Sequence, residues 1–276
     1  MVTGSVEQMA AEDKARSAES IARAFLAARA AGRPLSEYPG PMPRDFDDAY
    51  RIQASAIALS GQPVGGWKVG RVPDALVETF GSNRLAGPIF ADAIRAGGET
   101  VPEMAVFEGG FGAVEAEYLL RLGAIGEAPE GGWTNAAAAT CIDEIRIGIE
   151  IASSPFPGIN DHGPAVTVSD FGNNHGLVLG DVLPRDCDFL NWPLALTING
   201  AEAGTGTAAE MLDGPFGAVR FLLETAAERG LPVAPGQWIS TGAVTGVHRV
   251  AIGDRVEARF GAERTVACTI GKVRQN

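Results

Sequence analysis

Residues 12–32 carry Ile21, Phe25, Leu26 and Ala30 at helical spacing, and Gly32 followed by Pro34 supplies a stop, so a helix is predicted there. A proline-rich passage follows at 34–43, and Asp45 and Asp47 then open a second helical stretch through Tyr50, Ile52, Ala56 and Ile57 to Gly61. After Gln62 the texture changes to short apolar or alternating runs punctuated by Gly, Pro, Asn and Asp. These runs predict strands at 66–69, 113–122, 144–151, 176–179, 194–198, 237–241, 255–260 and 265–270. A late helix over 214–229 places Phe216, Val219, Leu222, Leu223 and Ala226 along one stripe. Strands outnumber helices without steady alternation, which implies a β-rich α+β fold. The expected organisation is a small helical N-terminal segment, 1–64, followed by a β-rich domain, 65–276.

Two of the predicted strands carry chemistry. Glu115 and Glu117 lie two residues apart, so in a strand both project from one face while Val114, Ala116 and Tyr118 take the other. Adjacent carboxylates repel unless a proton or a cation lies between them. In the run 144–151, Ile145, Ile147, Ile149 and Ile151 share a face and Glu150 stands on the opposite one. Three oxygen donors with no His or Cys nearby suit a hard cation, Mg²⁺ or Mn²⁺, better than zinc. The same spacing fits a solvated acidic stripe, and the pattern alone leaves both readings open. Lys68, in the segment GGWKVG, likewise fits a surface lysine or an acid–base group among carboxylates.

Composition narrows the partners. With 34 acidic and 22 basic residues the formal charge is −12, a field that repels nucleic acid and anionic membranes. The three cysteines, Cys141, Cys187 and Cys268, form no CxxC pair and read as buried thiols of a reducing compartment. No run has the apolar length of a membrane span and the N-terminal stretch lacks an apolar signal core, so the cytoplasm is the expected location.

Nine runs in order, from about Asp48 to Phe260, carry a resemblance: DDAYRIQ from Asp47, GWKVG from Gly66, GPIFADAI from Gly87, VEAEYLLRLG from Val114, IGIEI from Ile147, DFGNNHGLVLG from Asp170, NGAEAGTG from Asn199, STGAVTG from Ser240 and IGDRVEARFG from Ile252. The chain resembles the fumarylacetoacetate hydrolase superfamily, and within it the 2-oxopent-4-enoate hydratase and 4-oxalocrotonate decarboxylase branch. The resemblance implies a mixed β-sandwich roll enclosing a divalent metal, with the family's three acidic ligands on Glu115, Glu117 and Glu150 and its active-site lysine on Lys68. It also implies a small-molecule 2-oxo acid substrate that chelates the ion, proton transfer by Lys68 during enol-to-ketone tautomerisation, and a homo-oligomeric assembly. Asp170 matches an acid of the family and has two readings, an acceptor that orients Lys68 or a water, or a turn residue. Thr241 and Gly242, in the turn 240–246, either offer a hydroxyl and N–H groups to a substrate carboxylate or simply make a tight turn. Asn173, Asn174 and His175 are candidate polar contacts, Asn174 among the substrate-binding set.

Departures from the family pattern bear on the substrate. Where typical hydratases carry an acid shortly before the glycine corresponding to Gly87, this chain has Leu85. Arg84 beside it is either a partner for a substrate anion or a surface arginine. Phe171 stands where the family has Asn, and a common GHP segment reads Gly214-Pro215-Phe216 after Asp213. The leading expectation is a metal-dependent hydratase acting on a 2-hydroxydienoate or 2-oxoalkenoate in aromatic catabolism. The alternatives are a 4-oxalocrotonate-type decarboxylase, a C–C hydrolase with Asp161 and His162 as its acid–base pair, or a catalytically silent metal-binding partner of an active paralogue. His162, His175 and His248 receive no assigned role.

Overall fold

A computed structural model describes residues 3–274, with side chains from residue 11 onward. The outer ends of the two expected segments, residues 1, 2, 275 and 276, lie outside the described residues. Helix α1 (Thr3–Ala31) begins earlier than the pattern predicts and buries Ala18, Ile21, Ala22, Phe25 and Ala28 along one stripe. Helix α2 (Phe46–Ser60) starts where Asp45 accepts the Asp48 N–H and stops at left-handed Gly61. No described helix is long and apolar enough to cross a membrane.

The chain then runs through β1 (Val64–Arg71), α3 (Asp74–Phe80), β2 (Arg84–Phe90), β3 (Ile94–Ala96), β4 (Glu103–Val106) and β5 (Phe111–Leu122). Next come α4 (Asn135–Thr140), β6 (Ile142–Ser154), α5 (Pro164–Ser169), β7 (Asn174–Leu183), β8 (Leu194–Ile198) and β9 (Ala201–Gly206). Helix α6 (Gly214–Arg229) and strands β10 (Trp238–Ser240), β11 (His248–Arg249), β12 (Arg255–Phe260) and β13 (Arg264–Lys272) complete it.

The strands form two sheets, as the α+β sandwich expectation requires. An eight-stranded sheet runs β2-β1-β10-β5-β6-β7-β3, with β11 also on β5, and a five-stranded sheet runs β4-β13-β12-β8-β9. Between them lies the main core, where Tyr118, Ile147 and Ile149 of the larger sheet meet Leu196, Val256 and Phe260 of the smaller. The isoleucine face of β6 therefore turns inward as the alternation predicts. The other face of the larger sheet, bearing Phe111, Ala113 and Ala152, is covered by α1, α2 and α5. Glu115, Glu117 and Glu150 belong to this helix-covered side.

The short elements follow no simple pattern. In α5 all six residues are buried, so no polar face marks it as a helix. The edge strand β2 contains Pro88, normally a sign against a strand. Ala86 exchanges hydrogen bonds with side chains of α2: its N–H donates to the Tyr50 hydroxyl at 2.8 Å and its carbonyl accepts from Gln53 Nε2 at 3.0 Å. Pro88, two residues on along this outer edge, has no N–H to satisfy. Cys141 and Cys268 are buried free thiols, as the sequence suggests, but Cys187 is only half-buried.

Candidate active site

Strands β5 and β6 are antiparallel in a register that sets Glu115 opposite Glu150 and Glu117 opposite Gly148. Like charges directly opposite one another across a strand pair repel. On the far edge of β5, β10 pairs with residues 119–121 and β11 with 113–114, so the chain between them crosses the edge where the two glutamates project. Ser240 at the end of β10 lies between Lys68 of β1 and Leu119 of β5. Strands β1, β5 and β6, with β10 between the first two, thus bring a lysine and three carboxylates together, and all four side chains are buried.

Lys68 Nζ lies 3.0 Å from Glu150 Oε1 and 3.6 Å from Glu115 Oε1. Ser240 Oγ donates to Glu117 Oε2 at 2.6 Å, and the Gly242 N–H donates to the same oxygen at 2.8 Å. Asn174 Nδ2 donates to Glu150 Oε1 at 2.9 Å. Each bond fixes one oxygen and leaves the other free: Glu117 Oε1 and Glu150 Oε2 are buried with no partner. One carboxylate oxygen from each of Glu115, Glu117 and Glu150 lies within 4.8 Å of the others. Orphaned, converging oxygens of this kind fit a hard divalent cation, which prefers oxygen donors and needs no His or Cys.

Electrostatics agree. Burial raises Glu115 above the usual carboxylate range, against the pull of Lys68. Glu117 stands well above it, raised by burial first and then by Glu150 and Glu115. Burial disfavours the charge on Lys68, but Glu115, Glu150 and Glu117 outweigh it and hold the amine above the ordinary lysine value. The lysine is therefore a protonated group among acids that repel one another.

A single turn, Phe171–Asn173, delivers the next layer of contacts. Its three residues are left-handed, with φ of 59° at Phe171, 62° at Gly172 and 60° at Asn173. For a bulky residue such as Phe this is an outlier that costs on the order of 1–3 kcal/mol. The turn presses against β2, where a Cβ on Gly87 would fall 2.1 Å from the Phe171 carbonyl oxygen, so only glycine fits. Asn173 Oδ1 accepts from Lys68 Nζ at 3.0 Å, while its Nδ2 donates to Asn160 Oδ1 at 3.0 Å. Asn174 follows at once and reaches Glu150.

A cavity of about 640 Å³ opens over Lys68 and Glu115, walled by Leu85, Asn173, Met211 and Gly242. Of the residues singled out in the sequence, Lys68, Glu115 and Gly242 line it, Glu117 and Glu150 lie against Gly242 and Lys68, and Asn174 is bonded to Glu150. Others stand apart. Asp170 is buried against Arg29, not Lys68, in a two-pronged pair at 2.7 and 2.9 Å. The Thr241 hydroxyl donates to the Tyr118 carbonyl at 2.8 Å, and the Gly242 N–H serves Glu117. Arg84 borders the cavity, yet its guanidinium pairs with Asp213, which Arg220 also holds. His162 stacks on Phe156, and His248 Nε2 sits 2.8 Å from the Thr245 carbonyl. Ser240 and Asn160 carry no role in the sequence reading, although the first sits inside a quoted motif. No pattern marks Arg29, an arginine on an ordinary amphipathic helix.

The chain is 27% identical over 256 residues to 2-keto-4-pentenoate hydratase of Paraburkholderia xenovorans, covering 90% of this chain and 93% of the relative. The figures are the same for 2-keto-4-pentenoate hydratase 3 of Pseudomonas putida. Among solved structures, 4-oxalocrotonate decarboxylase from Pseudomonas putida G7, complexed with magnesium and adipate, superposes with a TM-score of 0.75 at 20% identity, over 92% of this chain and 97% of that one. Fumarylpyruvate hydrolase from Pseudomonas aeruginosa, in complex with Mn²⁺ and pyruvate, gives 0.55 at 16% identity over 76% and 91%. The fold is that of 4-oxalocrotonate decarboxylase, and the two sequence relatives are 2-keto-4-pentenoate hydratases. No family model matches the chain. The decarboxylase has been solved with magnesium and with calcium and the hydrolase with manganese, all hard cations of the kind that the carboxylate cluster fits.

Proposed function

We propose that the chain is a divalent-metal-dependent hydro-lyase that adds water to a short 2-hydroxydienoate or 2-oxoalkenoate. The observation that carries this reading is the pair of unpartnered buried oxygens on Glu117 and Glu150 beside Lys68, which with Glu115 lines a cavity sized for a small acid. The names of the two hydratase relatives support it. Glu115, Glu117 and Glu150 would hold Mg²⁺ or Mn²⁺, which when bound supplies charge stabilisation for the 2-oxygen of the substrate as it turns negative.

The chain's own residues handle the protons. Asn173 Oδ1 fixes Lys68 Nζ, and Asn160 in turn fixes the amide of Asn173. Lys68 Nζ gives a proton to a carbon of the dienol and regains one as the 2-hydroxyl loses its own. Ser240 and Gly242 hold one oxygen of Glu117, and the other would be available to the cation. Leu85 and Met211 give the cavity an apolar wall.

Purified protein with Mg²⁺ or Mn²⁺ should bleach the dienol absorbance of 2-hydroxypenta-2,4-dienoate and form 4-hydroxy-2-oxopentanoate. Failure to turn over any short dienol in a metal-dependent way would sink the proposal. A second reading, decarboxylation of a 4-oxalocrotonate-type dicarboxylate, is favoured by Leu85, which puts an apolar wall where an acid is expected. Release of CO₂ from that dicarboxylate, without hydration of the monocarboxylate, selects it. A silent metal-binding partner remains only if Lys68→Ala leaves every activity unchanged.

A further inference from the structure

Arg29 stands on α1, far from the carboxylate cluster in sequence, yet its guanidinium spends all three nitrogens on the segment that bears Asn173 and Asn174. Nε and Nη2 hold the two oxygens of Asp170 at 2.7 and 2.9 Å. Nη2 also reaches the carbonyls of Ser153 at 3.3 Å and Asp170 at 3.4 Å. Nη1 donates to the Asn174 carbonyl at 3.3 Å and to His175 Nδ1 at 3.1 Å. The guanidinium carbon sits 5.0 Å from the centre of the Phe171 ring and 5.6 Å from that of Phe107. The arginine therefore grips residue 170 on one side of the left-handed turn, residues 174 and 175 on the other, and the ring of residue 171 within it.

We propose that Arg29 is a positioning residue for the active site: by fastening the backbone on both sides of the Phe171–Asn173 turn, it sets Asn173 against Lys68 and Asn174 against Glu150. The role rests on the reading of Lys68 and Glu150 given under Proposed function. Three consecutive left-handed residues, two of them not glycine, persist only where the surroundings over-determine them. The Asn173 N–H, donating to the Asp170 carbonyl at 2.8 Å, closes the turn but does not orient it. Gly87 limits it from the β2 side. Orientation from the opposite side comes from the fork of Arg29, which a lysine cannot reproduce because an ammonium is a single point of charge. If the turn relaxes, the two asparagines leave together, since they are consecutive in the chain.

The alternative is that Arg29 only pins α1 to the sheet. Ile21, buried two turns earlier on the same helix, supplies the control, because Ile21→Ala weakens the docking of α1 without touching the turn. In the full-length protein, Arg29→Met and Arg29→Lys would be compared with Ile21→Ala by amide hydrogen exchange over residues 170–176, calorimetric Mn²⁺ titration and turnover at saturating Mn²⁺. For both Arg29 variants we expect faster exchange at the turn and Mn²⁺ affinity weaker by about tenfold. We also expect kcat lower by about tenfold with little change in KM, the Lys variant being the milder. Ile21→Ala should lose melting temperature but keep the turn protected and its Mn²⁺ affinity at the wild-type level. Wild-type exchange and Mn²⁺ affinity in Arg29→Lys overturn the proposal, as does an equal loss in Ile21→Ala. Should Arg29→Met fail to fold, Arg29→Lys decides. Should wild-type protein bind Mn²⁺ but turn over no dienol, the hydro-lyase reading fails while exchange and affinity still decide the role of Arg29.

Discussion

Replacing Glu117 by Gln removes an anionic oxygen from the cluster but leaves the inward face of β5, with Val114, Ala116 and Tyr118, untouched. Mg²⁺ binding should weaken by at least about tenfold by calorimetry. The metal-free melting temperature should stay level or rise, because a buried carboxylate facing two others is lost. Lys68→Ala works in the opposite sense. It strips the only cation from among three buried carboxylates, so the metal-free fold should lose on the order of 3 kcal/mol in urea unfolding. Mg²⁺ should restore more melting temperature to this variant than to wild type, while turnover stays at least about 100-fold down. At this scale the sequence is legible where strand alternation applies. Period two put Glu115 and Glu117 on one face and Glu150 opposite its isoleucines, whereas the partners of Lys68 depend on strand order in the sheet, which no local pattern encodes.

The Phe171–Asn173 turn shows what an element can hide. DFGNNHG reads as punctuation, and only the packed structure reveals three left-handed residues seated against β2. Gly87→Ala tests that seat directly. Its Cβ would collide with the Phe171 carbonyl, which is backbone and cannot swing aside, so a loss of about 2–4 kcal/mol is expected by chemical denaturation. Turnover should fall with it, since Asn173 is displaced from Lys68. Elements with caps and an amphipathic stripe, α2 and α6 among them, were legible nearly to the residue. Helix α5 was not, because burial on every side erases periodicity, and β2 was not, because its proline is tolerated only at an edge.

For the molecule as a whole, one half-buried base ties stability to pH. Burial first, and the neighbouring Arg29 second, push His175 from its ordinary value of 6.5 down to about 3. The folded protein therefore keeps it neutral where the unfolded chain would bind a proton. Its contribution is fully present above about pH 6.5 and is lost as pH falls from there toward 3, by up to about 1.4 kcal/mol per pH unit. Urea midpoints between pH 7.5 and 5 should fall more steeply for wild type than for His175→Gln; parallel slopes would refute this assignment. The fold class follows from the count and order of strands, but the stacking of two sheets and the cover of helices come from contacts distant in sequence.

Acidification also removes the electrostatic protection against self-association, because the net charge of −12 at neutral pH vanishes near a pI of about 4.7. A sheet edge with free N–H and C=O groups is then a template on which other chains can stack. The outer edge of β2 offers little such template, with Ala86 bonded on both sides to α2 and Pro88 lacking a donor. Growth of intermolecular β-structure from that edge is blocked by covalent geometry and side-chain bonding, neither of which depends on charge.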